Sequence, residues 1–426
     1  MDLFSEFSWR GLVYDSTEGL SDALVGSSVT GYAGFDPTAS SLHVGHLLPL
    51  MALARLQRCG HSPIALVGGG TGLIGDPSGK ITERALLSAE DVAANVAGIR
   101  PQLEQFLDFG ATSHGARLVD NAEWLTTITA MEFLRDVGKY FTLNYMLAKD
   151  SVKRRLSSEG GVSYTEFSYL LLQSYDFLVL HDRFNCTLQL GGSDQWGNIT
   201  AGCDLIRRLR PGRTHGLVMP LLTSASGTKF GKTESGAVWL DPQRTSPFRF
   251  YQFWLNADDS DVVRYLKFFT FLDQETIAGV ERALVLEPGP RAAQRLLARE
   301  VTSLVHGAEA VTRAEHASSV LFGEDIATLP VEDALAVFED APSTEMAAGL
   351  FSGEGIALVD LLAQVKLASS KSEARRLVQS GGVYVNNRRA PDVAARVSRG
   401  AAIGGSIVVL RRGQRQTHLV KLVGAV

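Results

Sequence analysis

The chain has 426 residues, 45% hydrophobic and 20% charged, with a formal net charge of −5 at pH 7. That is a length of two to three domains and a composition that can bury full cores, which excludes disordered and fibrous classes. Mean hydropathy is +0.05, and no run approaches the roughly 18 apolar residues of a membrane span, so no membrane partner is expected.

The opening residues MDLFSE are acidic and lack the basic start of a signal peptide. Cys59, Cys186 and Cys203 are odd in number and far apart, so neither a disulfide framework nor a zinc cluster is implied. These features predict a cytoplasmic protein. From residue 361 onward, twelve lysines and arginines face only Glu373 and Asp392, a net of +10, which leaves −15 for residues 1–360. A small basic tail on an acidic body suits a polyanion; a solvated basic surface without a partner is the alternative.

Between 30 and 230, short apolar runs alternate with glycine turns and helical stretches. The spacing predicts a helix over 47–58 and a buried strand over 62–68 that runs into Gly69-Gly70-Thr71-Gly72. Such alternation predicts a parallel sheet with helices on both faces. The stretch 118–190 is long for one crossover and is read as carrying an insertion. From 247 to 321 the pattern is helical: Ala292, Ala293, Leu296, Leu297, Val301, Leu304 and Val305 recur at three- and four-residue spacing before a His306-Gly307 stop. Residues 323–355, with Pro330, Pro342, Gly349, Gly353 and Gly355, read as a linker. A helical segment over 358–380 and strand-like runs at 383–385, 407–410 and 419–422 follow.

Two stretches carry chemistry. His43-Val44-Gly45-His46 follows YAGFDPT at 32–38 and opens the helix over 47–58. Two imidazoles beside a helix N-terminus can meet a phosphate, and the glycine leaves room for a nucleotide against the backbone. Downstream, SASGT at 224–228 precedes KFGKT at 229–233, small residues followed by two lysines. That pattern is expected of a mobile loop closing cations onto a triphosphate, where charge develops on leaving pyrophosphate. Either motif alone is equally compatible with surface histidines or an exposed basic turn. Two look-alikes fall short. Residues 70–75 match a dinucleotide fingerprint, but Asp76-Pro77-Ser78-Gly79 turns where a helix must continue; a P-loop would need glycine at Ser226.

With their neighbours, these stretches resemble a known family. HVGH is similar to the HIGH motif of class I aminoacyl-tRNA synthetases and KFGKT to their KMSKS loop. YAGFDPTASSLHVGHL, GGGTGLIGDPSGK, YTEFSYLLLQSYDF and LGGSDQWGNITAG single out the bacterial-type tyrosyl branch, in order, over about residues 30–235. The resemblance implies a Rossmann-like doubly wound catalytic domain over 1–235, a helical domain over 236–322, a linker over 323–355 and a small α+β RNA-binding domain over 356–426. That last domain resembles a fold shared with a ribosomal small-subunit protein and pseudouridine synthases.

The implied activity joins tyrosine to its tRNA through a tyrosyl-adenylate, releasing pyrophosphate and then AMP. Tyr32 and Asp176 would read the phenolic hydroxyl, and tyrosyl enzymes are the established example of rejecting phenylalanine by leaving such groups unpaired. Tyr169, Gln173 and Asp76 would receive the ammonium group, with Gln195 beside them. Tyr169, Gln173 and Asp176 stand at i, i+4 and i+7, one face of a helix. Gly34, Asp36, Gly45, Gly192 and Asp194 would hold adenosine, with Asn121 a weaker candidate. Thr38, His43, His46, Lys80, Arg84, Lys229, Lys232 and Thr233 would surround the phosphates. Lys366, Lys371, Arg375, Arg376, Arg388 and Arg389 would face tRNA phosphates. ATP is expected as its magnesium complex, with no metal cage and no tightly bound cofactor, in a homodimer formed through the region near 120–190. No DNA partner is expected.

Departures from the family pattern are few: KFGKT in place of KMSKS, Ala33 where some relatives place a polar contact to ribose, and Pro49 just inside the helix. Three alternatives stay open: a tryptophanyl enzyme, against which Tyr32 and Asp176 argue; a nucleotidyltransferase, usually shorter and without an RNA-binding tail; and a non-catalytic RNA-binding descendant, which loss of His46 or the loop lysines would favour.

Overall fold

A computed structural model describes residues 2–424 except 77, 79–85, 150–151, 154–155, 157–160, 223–229, 234–235, 287–288, 290, 322–325, 327–328 and 414–415. Of Lys232 and Thr233 it describes the backbone. The chain forms two compact units, Met1–Arg244 with Ala257–Leu297, and Thr245–Asn256 with Ala298–Val426.

The first unit is built on β1 (Asp15–Ser16), β2 (Thr30–Phe35), β3 (Ser62–Val67), β4 (Arg117–Asp120), β5 (Cys186–Gly192) and β6 (His215–Met219). They lie in the order β1-β6-β5-β2-β3-β4, with β1 antiparallel to β6 and the other neighbours parallel. β6 is buried at all five positions and β3 at five of six, as expected of strands covered on both faces. From β2 the chain runs outward through β3 and β4 on one side and later through β5 and β6 on the other. The order therefore reverses at β2, and a crevice opens beyond the carboxyl ends of β2 and β5.

Helix Leu47–Arg58 leaves β2 through the His43–His46 turn and is buried at nine of its twelve residues; Pro49 sits in its first turn, where no backbone donor is lost. Between β4 and β5 lie the helices Ala122–Leu125, Ala130–Asp136, Leu143–Leu147 and the long Tyr164–Phe184. The Ser163 side chain caps the long helix by accepting from the Glu166 backbone, and Asn185 ends it in the left-handed region at φ 52°.

In the second unit, a five-stranded sheet runs in the order 388–389, 383–385, 407–412, 416–423, 343–347, with the last pair parallel. Leu358, Leu361, Leu362, Ala374, Val378, Val383, Val408, Leu410 and Val420 form a core against it. Two expectations change here. The segment read as a linker holds the helix Val331–Val337 and the strand Ser343–Ala347, because Met346 packs into that core while Pro342 accepts a hydrogen bond from Leu419. The helical segment over 358–380 splits into Leu358–Gln364 and Lys371–Gln379, broken at Lys366, whose φ is 59°. Among the described residues no helix is long and apolar enough to cross a membrane.

Candidate active site

The crevice holds one polar pocket, lined by β2 residues Tyr32 to Phe35 and then by Asp36, Thr38, His43 and His46. Thr71, Asp76, Asn121, Tyr169, Gln173, Asp176, Gln189, Gly191, Gly192 and Gln195 close it. Gly34 faces open space, since a Cβ there would meet nothing within 4 Å.

One end is built around Asp176. The carboxyl is 2% exposed. Its Oδ1 accepts from Trp124 Nε1 at 2.7 Å and its Oδ2 from Asn121 Nδ2 at 2.9 Å. Burial pushes its pKa up to about 8, although both hydrogen bonds pull it down. Tyr32, 1% exposed, has a hydroxyl with no partner among the described residues. Burial and the Asp176 charge hold that hydroxyl protonated, well above the usual tyrosine range. A buried donor without an acceptor is costly, and a ligand hydroxyl would satisfy it. Gln189, opposite Tyr32 in the strand register, likewise has a buried Oε1 without a partner among the described residues.

From Asp176 a hydrogen-bond chain crosses the pocket. Asn121 Nδ2 also donates to Thr71 Oγ1 at 3.0 Å, which donates to Asp36 Oδ1 at 2.8 Å. Tyr169 donates to Asp36 Oδ2 at 2.8 Å, leaving its own oxygen able to accept. Gln195 donates to Asp76 Oδ2 at 2.7 Å, and Asn198 donates to Gln173 Oε1 at 2.9 Å. The ring of acceptors formed by Tyr169, Gln173 and Asp76 suits a cation. The run Gly68-Gly69 exists because of this network: a Cβ at Gly68 would lie 2.2 Å from Asp36 Oδ1, and one at Gly69 2.2 Å from Asp120 Oδ1. The backbone N–H groups of Gly69 and Gly70 bind the side chains of Asp120 and Asn121. The dinucleotide look-alike is thus spent on the protein's own loop, and Thr71–Leu73 is a single 3-10 turn.

At the other end the His43 and His46 rings stack at 4.0 Å. His43 Nδ1 accepts from the Gly45 backbone at 3.0 Å and His46 Nδ1 from the His43 backbone at 3.1 Å. A neutral ring that accepts at Nδ1 carries its proton on Nε2, so each presents one N–H donor. The glycine between them serves the histidine first: a Cβ at Gly45 would lie 2.8 Å from His43 Cε1.

The lysine-bearing motif is tied to the same turn. Lys232–Thr233 pairs with Gly236–Ala237, Val238 donates to Gly231, and Val44 donates to Val238 at 2.9 Å. Gly231 has φ 78°, and a Cβ there would lie 2.6 Å from Val44 Cγ2, so this position requires glycine. Phe230 is buried and stacks on Phe269 with centroids 5.4 Å apart and 8° between planes.

The pocket brings together Tyr32, Gly34, Asp36, Thr38, His43, His46, Asp76, Asn121, Tyr169, Gln173, Asp176, Gly192 and Gln195. Gly45 and Asp194 stand beside it without lining it, Asp194 next to Gly192 in the turn after β5. Lys80, Arg84 and Lys229 lie outside the described residues. Sequence reasoning missed Thr71, Trp124, Gln189 and Asn198. The available signal was position: Asn121 and Trp124 directly follow β4, at the carboxyl end of a parallel strand. Lys366, Lys371, Arg375, Arg376, Arg388 and Arg389 are all exposed on the second unit, in the turn, helix and hairpin that span 366–389.

Residues 26–323 match the family described as tRNA synthetases class I (W and Y), and residues 333–420 match the tyrosine–tRNA ligase SYY-like C-terminal domain. The chain is 57% identical to the tyrosine–tRNA ligase of Roseiflexus castenholzii, covering 99% of each. It is 50% identical to that of Geobacillus stearothermophilus, covering 99% of this chain and 100% of the other. Among solved structures, a C-terminally truncated mitochondrial tyrosyl-tRNA synthetase of Aspergillus nidulans is similar at TM-score 0.68 and 32% identity, over 75% of this chain and 94% of that one. A tryptophanyl-tRNA synthetase of Encephalitozoon cuniculi shares the fold at TM-score 0.52 and 13% identity, over 72% of this chain and 87% of that one. With the pocket geometry and relatives that match end to end, the chain belongs to the tyrosine–tRNA ligase family of class I aminoacyl-tRNA synthetases.

Proposed function

We propose that the protein activates tyrosine with MgATP and transfers it to the terminal ribose of its tRNA. The observation that carries this reading is the buried carboxyl of Asp176, held on both oxygens, in a pocket shared with the Tyr32 hydroxyl, which has no partner among the described residues. A phenol entering there donates to Asp176 and accepts from Tyr32, while phenylalanine leaves both unpaired. Tyr169, Gln173 and Asp76 receive the ammonium group, with Gln195 orienting Asp76. The substrate carboxylate oxygen attacks the α-phosphorus and pyrophosphate leaves. The tRNA ribose hydroxyl then attacks the tyrosyl carbonyl carbon and AMP leaves. The protein supplies position and charge: the Nε2 donors of His43 and His46, Thr38, Lys80, Arg84, Lys229, Lys232 and Thr233 act on the phosphates, and Gly34, Asp36, Gly192 and Asp194 hold adenosine. Magnesium arrives on the nucleotide as part of the substrate.

The test is ATP–pyrophosphate exchange with tyrosine, phenylalanine and tryptophan in parallel. Exchange with tyrosine alone is expected. Exchange with tryptophan would return Tyr32 and Asp176 to structural roles, and none with any of the three would overturn the activation step.

The basic second unit is proposed to grip tRNA through Lys366, Lys371, Arg375, Arg376, Arg388 and Arg389. If all six neutralise phosphates, log K against log salt has a slope between about −4 and −5, measured by filter binding. A flat response would remove the role. Met131, Leu134, Leu143, Leu147 and Tyr164 are large apolar residues left exposed on the helices between β4 and β5, which supports burial of that region in a homodimer.

A further inference from the structure

The helix Asp259–Phe269 in the first unit ends in carbonyls that two buried arginines take over. Arg10, 3% exposed, donates from Nη1 to the carbonyls of Lys267 at 2.8 Å and Thr270 at 3.2 Å, and from Nη2 to Leu272 at 2.7 Å. Arg55, 1% exposed, donates from Nη2 to Lys267 at 3.2 Å, Phe268 at 2.9 Å and Thr270 at 2.7 Å. Glu6 pairs with Arg10 Nε at 2.6 Å, whereas Nε and Nη1 of Arg55 have no partner among the described residues. Capping a helix end needs no fully buried guanidinium, because water or an exposed lysine satisfies the same carbonyls at less desolvation cost. Two guanidinium groups over four carbonyls instead fix where this helix end lies. Arg10 spreads its bonds over both terminal nitrogens, whereas Arg55 brings Nη2 alone to three carbonyls, at a reach one bond longer than a lysine's.

What the helix carries explains why its place matters. Phe269 and Tyr265 receive the ring of Phe230 at 5.4 and 5.1 Å, and Phe230 stands two residues before Lys232. Arg55 lies on the helix that begins at Leu47, immediately after His46. One rigid path therefore joins both phosphate-binding motifs: His46, helix 47–58, Arg55, the end of helix 259–269, Phe269 and Phe230. Burial and the neighbouring Arg10 charge pull the Arg55 pKa down to about 9, so its charge is retained at a cost near neutral pH.

We infer that Arg55 and Arg10 are positioning residues for the activation step, fixing through helix 259–269 and Phe230 where the backbone that carries Lys232 lies. The inference rests on the proposed role of Lys232, so wild-type exchange and Lys232→Ala are run alongside: their failure removes that role, whereas failure of the arginine variants alone removes the inference. Arg55→Lys keeps the cation but ends one bond short of the carbonyls that Nη2 now holds. It is expected to lower the pyrophosphate-exchange kcat per titrated active site about tenfold, leaving tyrosine KM and equilibrium tyrosine binding within about twofold of wild type. Phe230→Leu is expected to lower kcat similarly, and the double variant to be no slower than the slower single one, since both act through one element. Arg10→Gln carries the same expectation should Arg55→Lys yield no folded protein. An unchanged kcat, or losses that multiply in the double variant, would overturn the inference whatever happens to thermal stability.

Discussion

Asp176→Asn is expected to lower kcat/KM for tyrosine by about 30- to 1,000-fold, the roughly 2–4 kcal/mol of buried donors left without acceptors at the phenol and at Trp124 or Asn121. The amide keeps the shape but turns an N–H₂ toward groups arranged to donate: Trp124 Nε1 and Asn121 Nδ2 already point at those two positions. Phenylalanine never used this bond, so its kcat/KM changes little and the tyrosine preference narrows by nearly the same factor. Parallel losses for both amino acids in pyrophosphate exchange would instead mean that the pocket had collapsed. The same substitution has a pH signature. Burial raises the carboxyl from its ordinary 3.8 to about 8. The folded state therefore holds a proton that the unfolded chain releases, and this group's contribution to stability falls as pH rises from about 4 to 8, then levels off. Urea denaturation of the ligand-free protein across that range should show the wild-type curve converging on or dropping below that of Asp176→Asn as pH rises. Curves that stay parallel would show that Asp176 ionises without penalty.

The second large effect is expected at Lys232, whose strand is tied to the His43–His46 turn. Lys232→Ala should lower the pyrophosphate-exchange kcat about 100- to 1,000-fold with little change in tyrosine KM, because charge on the leaving oxygens grows only as the bond to the α-phosphorus breaks. The backbone supports this: the strand carrying Lys232 pairs with 236–237, and the adjoining Val238 hydrogen-bonds Val44 inside the His43–His46 turn. His46→Ala is expected to act in the same kinetic parameter, and the two losses should combine to less than their product if both groups hold the same phosphate oxygens. A rise in KM for ATP with kcat intact would mean that Lys232 serves ground-state binding only.

Much of the catalytic unit was legible because local pattern and tertiary role agree. The helix over 47–58 and the strand at 62–67 follow from periodicity and apolar runs, and the i, i+4, i+7 spacing of Tyr169, Gln173 and Asp176 lines one pocket wall. Trp124 and Gln189 were not legible, since a tryptophan after a strand and a glutamine within one have no periodic signature. Trp124 takes its meaning from Asp176, 52 positions away, and Gln189 from Tyr32, its partner in the strand register. The tie between Gly45 and His43 was hidden for a related reason: the ring folds back onto the glycine N–H, a contact that no spacing rule contains. In the second unit, Lys366 in a left-handed conformation hides a helix break that a glycine would have announced. The strand at 343–347 was hidden by the prolines and glycines around it.

That strand has a consequence for how the protein is made. Its described sheet neighbour is 416–423, so it waits for some seventy later residues before it can pair. The two units also interleave in the chain, with 245–256 belonging to the second and 257–297 to the first. During synthesis the helix at 247–255 emerges well before its partners Ala317, Val320 and Leu419. The catalytic unit can close early around this waiting segment, while the second unit stays open until the last strand leaves the ribosome. A chain halted by a late stop codon or frameshift would carry a complete pocket beside a sheet with a bare edge. Such an edge invites pairing with other chains, so this message is under pressure to be read to its end.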